Sequence, residues 1–392
     1  MKTTLLKIAI LSLLVTSCEM YDTTAQYSYH YPDSLSDGFE VGTLDDVDIS
    51  TRLIEEAVTK IYRGQYTEVH SMLVYKDGKL VLEEYFQGHD HQWDAPHHHG
   101  DFVSWDRDIL HYAHSVSKSI TSMCVGIAID KGFIDNVQQS IFDYLPDHQN
   151  LKTEQKRKIT IEHLLTGTSG LQWAEWNAPL SSVANDQVAI WFQEKDPVEF
   201  VLSRPLIEDP GTHFVYSGGN FDVLGVILEN AAGMSFKKFS ETYLFRPLGM
   251  DSVYWHQVYP TGEVHAAGGL RITPREMIKL GAVMLEHGTW NGQKIISEDW
   301  ITHGANTYRG NQGIKIPGEP SGRLGYSYSW WTKNYIEGGK KIHMYAAGGW
   351  GGQHIMVLPE VNTVVVFTGG NYVSKRPPFK ILEKYIIPSL VN

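Results

Sequence analysis

Strand-like segments stand at both ends of this chain with helical patterning between them, which narrows the folds open to it. Near the start, Ser71-Met-Leu-Val-Tyr-Lys-Asp-Gly-Lys-Leu-Val-Leu-Glu-Glu-Tyr-Phe86 reads as a β-hairpin. β-Branched and aromatic residues flank Asp77-Gly78, a pair suited to the left-handed backbone of a tight turn. Near the end, His343–Ala347, His354–Leu358 and Thr363–Thr368 are apolar runs divided by Gly-rich or Pro-Glu-Val-Asn turns. Helical spacing is found over Leu53–Ile61, Ile161–Leu165, Val198–Leu202, Asn220–Ala232, Phe236–Leu244, Pro274–Leu285 and Ser297–His303. The expected fold is α/β of the α+β type, with one antiparallel sheet built from both chain ends and flanked by helices. Residues 51–119 and 311–392 would form the α/β part, and 120–310 an inserted, mainly helical part.

The first residues read as a targeting segment. Lys2 and Lys7 precede a short apolar core, Ile8–Val15, and then Val15-Thr16-Ser17-Cys18. This resembles a bacterial lipobox and implies a signal peptide over 1–17, cleavage before Cys18, and lipidation of Cys18. A cell-envelope lipoprotein held on a membrane through that lipid is the expectation, with polar, acidic residues 18–50 as a tether. The only other cysteine, Cys124, lies in an apolar run and is expected to be a small core residue. The formal net charge of −12, without a basic cluster, gives no support to nucleic-acid binding.

Chemistry enters with His114-Ser-Val-Ser-Lys-Ser-Ile-Thr-Ser122. Ser115 opens a helix running to Asp130 whose body is too apolar to be exposed. Positions i and i+3 share a helical face, so Lys118 can hold its amine beside the Ser115 hydroxyl. Burial lowers a lysine pKa, and a neutral amine can take the serine proton. The bland alternative is an N-cap serine and a snorkelling lysine. That reading fits the chain's second Ser-x-x-Lys, Ser235-Phe-Lys-Lys238, with solvent-facing lysines. Two distant segments favour function at Ser115. Tyr216 sits on a small-residue loop where a phenol can shuttle protons. Gly348-Gly-Trp-Gly-Gly-Gln353 offers bare backbone N–H groups of the kind an oxyanion hole requires.

Together these segments resemble the serine β-lactamase-like hydrolases, which include class C β-lactamases, D-Ala-D-Ala carboxypeptidases and esterases. The likeness runs from about Ser71 to Thr368. It takes in Ile161-Glu-His-Leu-Leu-Thr-Gly-Thr-Ser-Gly170, Pro210-Gly-Thr-His-Phe-Val-Tyr216, Phe245-Arg-Pro-Leu-Gly-Met250 and Gly268-Gly-Leu-Arg-Ile-Thr-Pro-Arg-Glu-Met277. The approach to Ser115 and the Gly-Gly-Gln ending look most like the 6-aminohexanoate-dimer hydrolase branch. The resemblance implies a β-lactamase/transpeptidase-like fold and an acyl-enzyme on Ser115, without metal or cofactor. Lys118 would be the general base or keep Tyr216 ionisable, and Tyr216 would pass a proton to the leaving group. The N–H groups of Ser115 and Gly349 would form the oxyanion hole.

Two departures matter. Gly218 replaces the Asn of the family's Tyr-x-Asn motif. Ala346 replaces the cation of its Lys-Thr-Gly motif, which helps penicillin-recognising members hold a carboxylate. A small ester or amide therefore ranks above a β-lactam or D-Ala-D-Ala peptide as substrate. A non-catalytic binding protein on a hydrolase fold ranks last. Seven histidines from His89 to His114 crowd one loop, but no pair has metal-ligand helical spacing, so a solvated or cleft-lining loop is expected. Trp93, Trp105, Trp173, Trp176 and Trp350 are candidates for an aromatic cleft, with core packing the alternative. Glu175 is a candidate to bind a substrate amine or hydroxyl, with simple surface solvation the alternative.

Overall fold

In a computed structural model, which describes residues 21–193, 196–373 and 376–391, both chain ends do build one sheet. Its strands are β1 (Glu40–Val41), β2 (Val69–Lys76), β3 (Lys79–Tyr85), β4 (Gly325–Ser327), β5 (Trp330–Glu337), β6 (Lys340–Gly349), β7 (Gln353–Leu358) and β8 (Thr363–Gly369). The spatial order is β1-β3-β2-β8-β7-β6-β5-β4. All neighbours run antiparallel except β1 and β3, which are parallel, so the sheet is mixed. Asp77 and Gly78 both have positive φ, 50° and 84°, as the twist of a two-residue hairpin demands.

Both sheet faces are covered, which is why its inner strands read as continuous apolar runs. Leu73, Ile355, Val364 and Val366 face one core; Met72, Val74, Met356, Val365 and Phe367 face the other. The second core is closed by α1 (Thr51–Tyr62), which buries Ile54, Ala57, Val58 and Ile61 at helical spacing, and by the C-terminal segment 378–390. The first core is closed by α2 (Val116–Asp130), α3 (Gly218–Ala232) and α4 (Pro274–Leu285). α4, placed by sequence in the helical part, lies on the sheet itself. A Cβ on its Gly281 would sit 2.4 Å from Val364 and 2.8 Å from Ile355. Among the described residues no helix is long and apolar enough to cross a membrane.

Within residues 18–50, expected to be a tether, several described residues are anchored to the body. The Glu68 N–H donates to Tyr21 Oη, Arg63 donates to Ala25 O at 2.7 Å, and Tyr29 Oη donates to Val81 O at 2.8 Å. Acidic composition hid this docking, because its cations come from far along the chain. Arg275 Nη1 meets Asp37 at 2.6 Å and its Nη2 meets Glu83 at 2.6 Å, with Arg275 and Glu83 side chains only 6% and 2% exposed. Arg275→Met strips two carboxylates of their cation and should cost about 3–5 kcal/mol. Denaturant unfolding with an unchanged m-value checks this. The lipidation expectation at Cys18 lies outside the described residues.

Candidate active site

A sharp turn delivers Ser115. Ala113 ends a strand-like bond to Leu270, His114 adopts φ 47°, and α2 begins at once. A left-handed histidine is costly, and such strain is characteristic of functional positions. Ser115 stands at the N-cap in helical geometry, but its hydroxyl makes no capping bond. It is free to meet Lys118 Nζ at 2.9 Å. The contrast with Ser235 is direct: that hydroxyl accepts from Lys238 N as an ordinary cap, and Lys237 and Lys238 are exposed.

α2 is buried from Val116 to Ala128, polar residues included. Thr121 Oγ1 donates to Ala266 O and Ser119 Oγ to Ser329 O. Lys118 is 3% exposed and donates also to Ala267 O at 3.1 Å. Burial draws its amine below the ordinary lysine range, opposed by Glu175 and Asp222. Tyr216 lines the same cavity as Ser115 and Lys118, and Lys118 Nζ lies 5.0 Å from its ring centroid. Burial, with Glu175 adding to it, pushes the Tyr216 phenol well above its usual range. Gly349 lines the same cavity as Ser115. A Cβ there would lie 2.4 Å from Ala113 O, so only glycine lets this strand end come so near the turn before Ser115.

These groups line a cavity of about 690 Å³. Trp176 stacks on Tyr216 with ring centroids 4.5 Å apart, and Trp331 lies behind at 5.9 Å. A second aromatic group holds Trp93, Trp350, His91, His114 and Tyr372. Burial depresses the His91 imidazole to about 4 and draws His114 well below the usual histidine range. Two candidates fall elsewhere. Trp173 is core, packed on Phe200 and donating its indole N–H to Glu175 Oε2 at 2.8 Å. Trp105 stacks on His70 and His111. Glu175 lines the cavity, and its Oε2 accepts the Gly218 N–H at 2.7 Å.

Sequence reasoning missed several wall residues. Trp331 comes from β5, which lay outside the segments read as strands, and pairs directly opposite Ala346. The indole thus occupies the sheet face where a residue-346 cation would project. Arg376 also lines the cavity, held by buried Glu319 at 3.1 Å, which meets His354 at 3.2 Å. Burial raises the Glu319 pKa, but His354 and Arg376 outweigh it and keep the carboxyl low. No local pattern marks this trio, because its members meet only in the fold.

Glu68, His89 and His99 bring three possible metal-ligand atoms within 4.8 Å of one another. The two imidazoles, however, are stacked 4.3 Å apart at 5°. Ligand lone pairs lie in the ring planes, and parallel planes share no point for one ion. His99 Nε2 instead meets Gly370 O at 3.0 Å and His89 Nδ1 meets Glu68 at 2.8 Å.

Fold and cavity together define a serine β-lactamase-type hydrolase. The chain belongs to the beta-lactamase family, whose profile matches residues 58–378. It is 28% identical over 302 residues to a 6-aminohexanoate-dimer hydrolase of Paenarthrobacter ureafaciens, covering 74% of this chain and 69% of that one. A monacolin J acid methylbutanoyltransferase of Aspergillus terreus is 28% identical over 149 residues, about a third (35%) of each chain. The solved β-lactamase/D-alanine carboxypeptidase of Yersinia pestis, complexed with citrate, superposes with TM-score 0.66 at 18% identity, covering 87% of this chain and 98% of that one.

Proposed function

We propose that this protein is a lipid-anchored serine hydrolase that cleaves an uncharged ester or linear amide through an acyl-enzyme on Ser115. The observation that carries this reading is the Ser115 Oγ–Lys118 Nζ contact of 2.9 Å on a buried helix, opening into an aromatic cavity. Ser115 Oγ attacks the substrate carbonyl carbon as its proton passes to Lys118 Nζ. The N–H groups of Ser115 and Gly349 hold the oxyanion. As the tetrahedral centre collapses, the bond to the leaving group breaks and Tyr216 relays the proton to the departing oxygen or nitrogen. Water then adds to the acyl carbon, giving its proton back through the same pair, and the acid leaves with Ser115 restored.

The aromatic walls favour apolar, uncharged acyl or leaving groups. The hydrolase relative is named for the dimer of 6-aminohexanoate, whose units an amide bond joins, which supports amides beside esters. The acyltransferase relative supports an alcohol taking the place of water in the second step. The test is a panel of p-nitrophenyl acyl esters, linear oligoamides and D-amino-acid peptides against wild type and Ser115→Ala. Ester or amide turnover, with fluorophosphonate labelling of Ser115 only in wild type, is expected.

β-Lactam recognition is the second reading, favoured by the Yersinia pestis neighbour and by Arg376 on the wall. Against it, Trp331 faces Ala346, and Arg376 is already paired with Glu319. A chromogenic cephalosporin should be turned over at least about a hundredfold more slowly than the best ester, about 3 kcal/mol in transition-state binding. Comparable rates would reverse the ranking.

A further inference from the structure

The side chain missing at Gly218 leaves a space, and a distant loop fills it. A Cβ built on Gly218 would lie 1.8 Å from Gln187 Oε1 and 3.3 Å from Glu175 Oε2. That same Glu175 oxygen is fixed from two sides, by the Gly218 N–H at 2.7 Å and the Trp173 indole at 2.8 Å. Its other oxygen, Oε1, points to Lys118 Nζ at 3.9 Å. The remaining partners of Lys118, Ser115 Oγ and Ala267 O, are neutral. Asp222 is the second carboxylate nearby, but its oxygens already serve Tyr259, His265 and the Ala267 N–H.

We propose that Glu175 is a positioning residue that orients Lys118 and sets its charge state. The proposal rests on the roles of Ser115 and Lys118 given above. A carboxylate 3.9 Å from a buried amine stabilises the ammonium form. It therefore holds the amine basic enough to take the Ser115 proton, against burial, which pulls the other way. The other charged or titratable groups around this point are Asp222, Tyr216, His114, His265 and the Glu319–Arg376 pair. None of them replaces the Glu175 contact.

The experiment is the pH dependence of kcat/KM for p-nitrophenyl acetate with purified wild type, Glu175→Gln, Glu175→Asp and Ser115→Ala. Activity requires Lys118 unprotonated, so the acid limb follows its pKa. Glu175→Gln keeps an acceptor for Gly218 and Trp173 but removes the charge. Its acid limb should move down by about 1–3 pH units, with a plateau lowered about tenfold by the weaker base. Glu175→Asp keeps the charge and should hold the limb within about 0.3 units, with a lower kcat. An unmoved limb in Glu175→Gln overturns the proposal. So does a limb in Glu175→Asp that falls by a full unit, which also serves if the Gln variant folds poorly. A Ser115→Ala protein that still turns over the ester brings down the catalytic reading itself, a different result from an active enzyme indifferent to Glu175.

Discussion

Ser115→Ala should lower kcat/KM for a p-nitrophenyl ester by about 10⁴ or more while leaving the protein folded. The expected size follows from removing the nucleophile of a covalent mechanism, where only the oxyanion hole and binding remain. The fold should tolerate the change. The Ser115 hydroxyl caps no helix, and the bond it makes is to Lys118, inside the site. Steady-state kinetics with a matched melting curve separate the two effects. A variant that keeps a tenth of the activity would mean that the hydroxyl is a bystander.

Lys118→Met should cost about 10³, within the span of general-base contributions. Methionine keeps the unbranched stem in a helix that is buried all round, and it removes only the amine. The stability sign supports the comparison. The folded-state pKa of Lys118 is depressed, so the unfolded chain binds this proton more tightly than the native one. The group therefore opposes folding in full below its folded-state value; the opposition fades as pH rises from there toward the unfolded lysine value and is gone above it. The Met variant should thus melt no lower than wild type near neutral pH, and its acid limb should vanish from the rate profile. Calorimetry and the pH–rate curve check both. A lysine that merely snorkels would show neither change.

Local patterns carried the legible part of this protein. The Asp77-Gly78 turn, the α1 stripe and the i, i+3 pairing of Ser115 with Lys118 each depend on a few adjacent residues. The family motifs extended that reading to Tyr216 and Gly349, which the structure brings to the same cavity. The illegible part depends on distance along the chain. Trp331 matters because it pairs with Ala346, and Glu319 because His354 and Arg376 close on it. Trp173 and Glu175 read in sequence as substrate-binding candidates, with core packing and surface solvation as the alternatives. The contacts that join them, the Trp173 indole and the Gly218 N–H to Glu175 Oε2 and Glu175 Oε1 toward Lys118, arise only when α3 is placed beside them. The docked segment 21–50 is the same case, since Arg275 lies 238 residues from the Asp37 it holds.

The central claim is an acyl group carried by Ser115. Mixing the purified protein with a slowly turned-over ester such as p-nitrophenyl pivalate, quenching in acid and recording the intact mass tests it most directly. The account predicts a mass gain of one acyl group, located by peptide mapping on Ser115 and missing in Ser115→Ala. Ester turnover with the adduct on another residue, or turnover unchanged in Ser115→Ala, would contradict it.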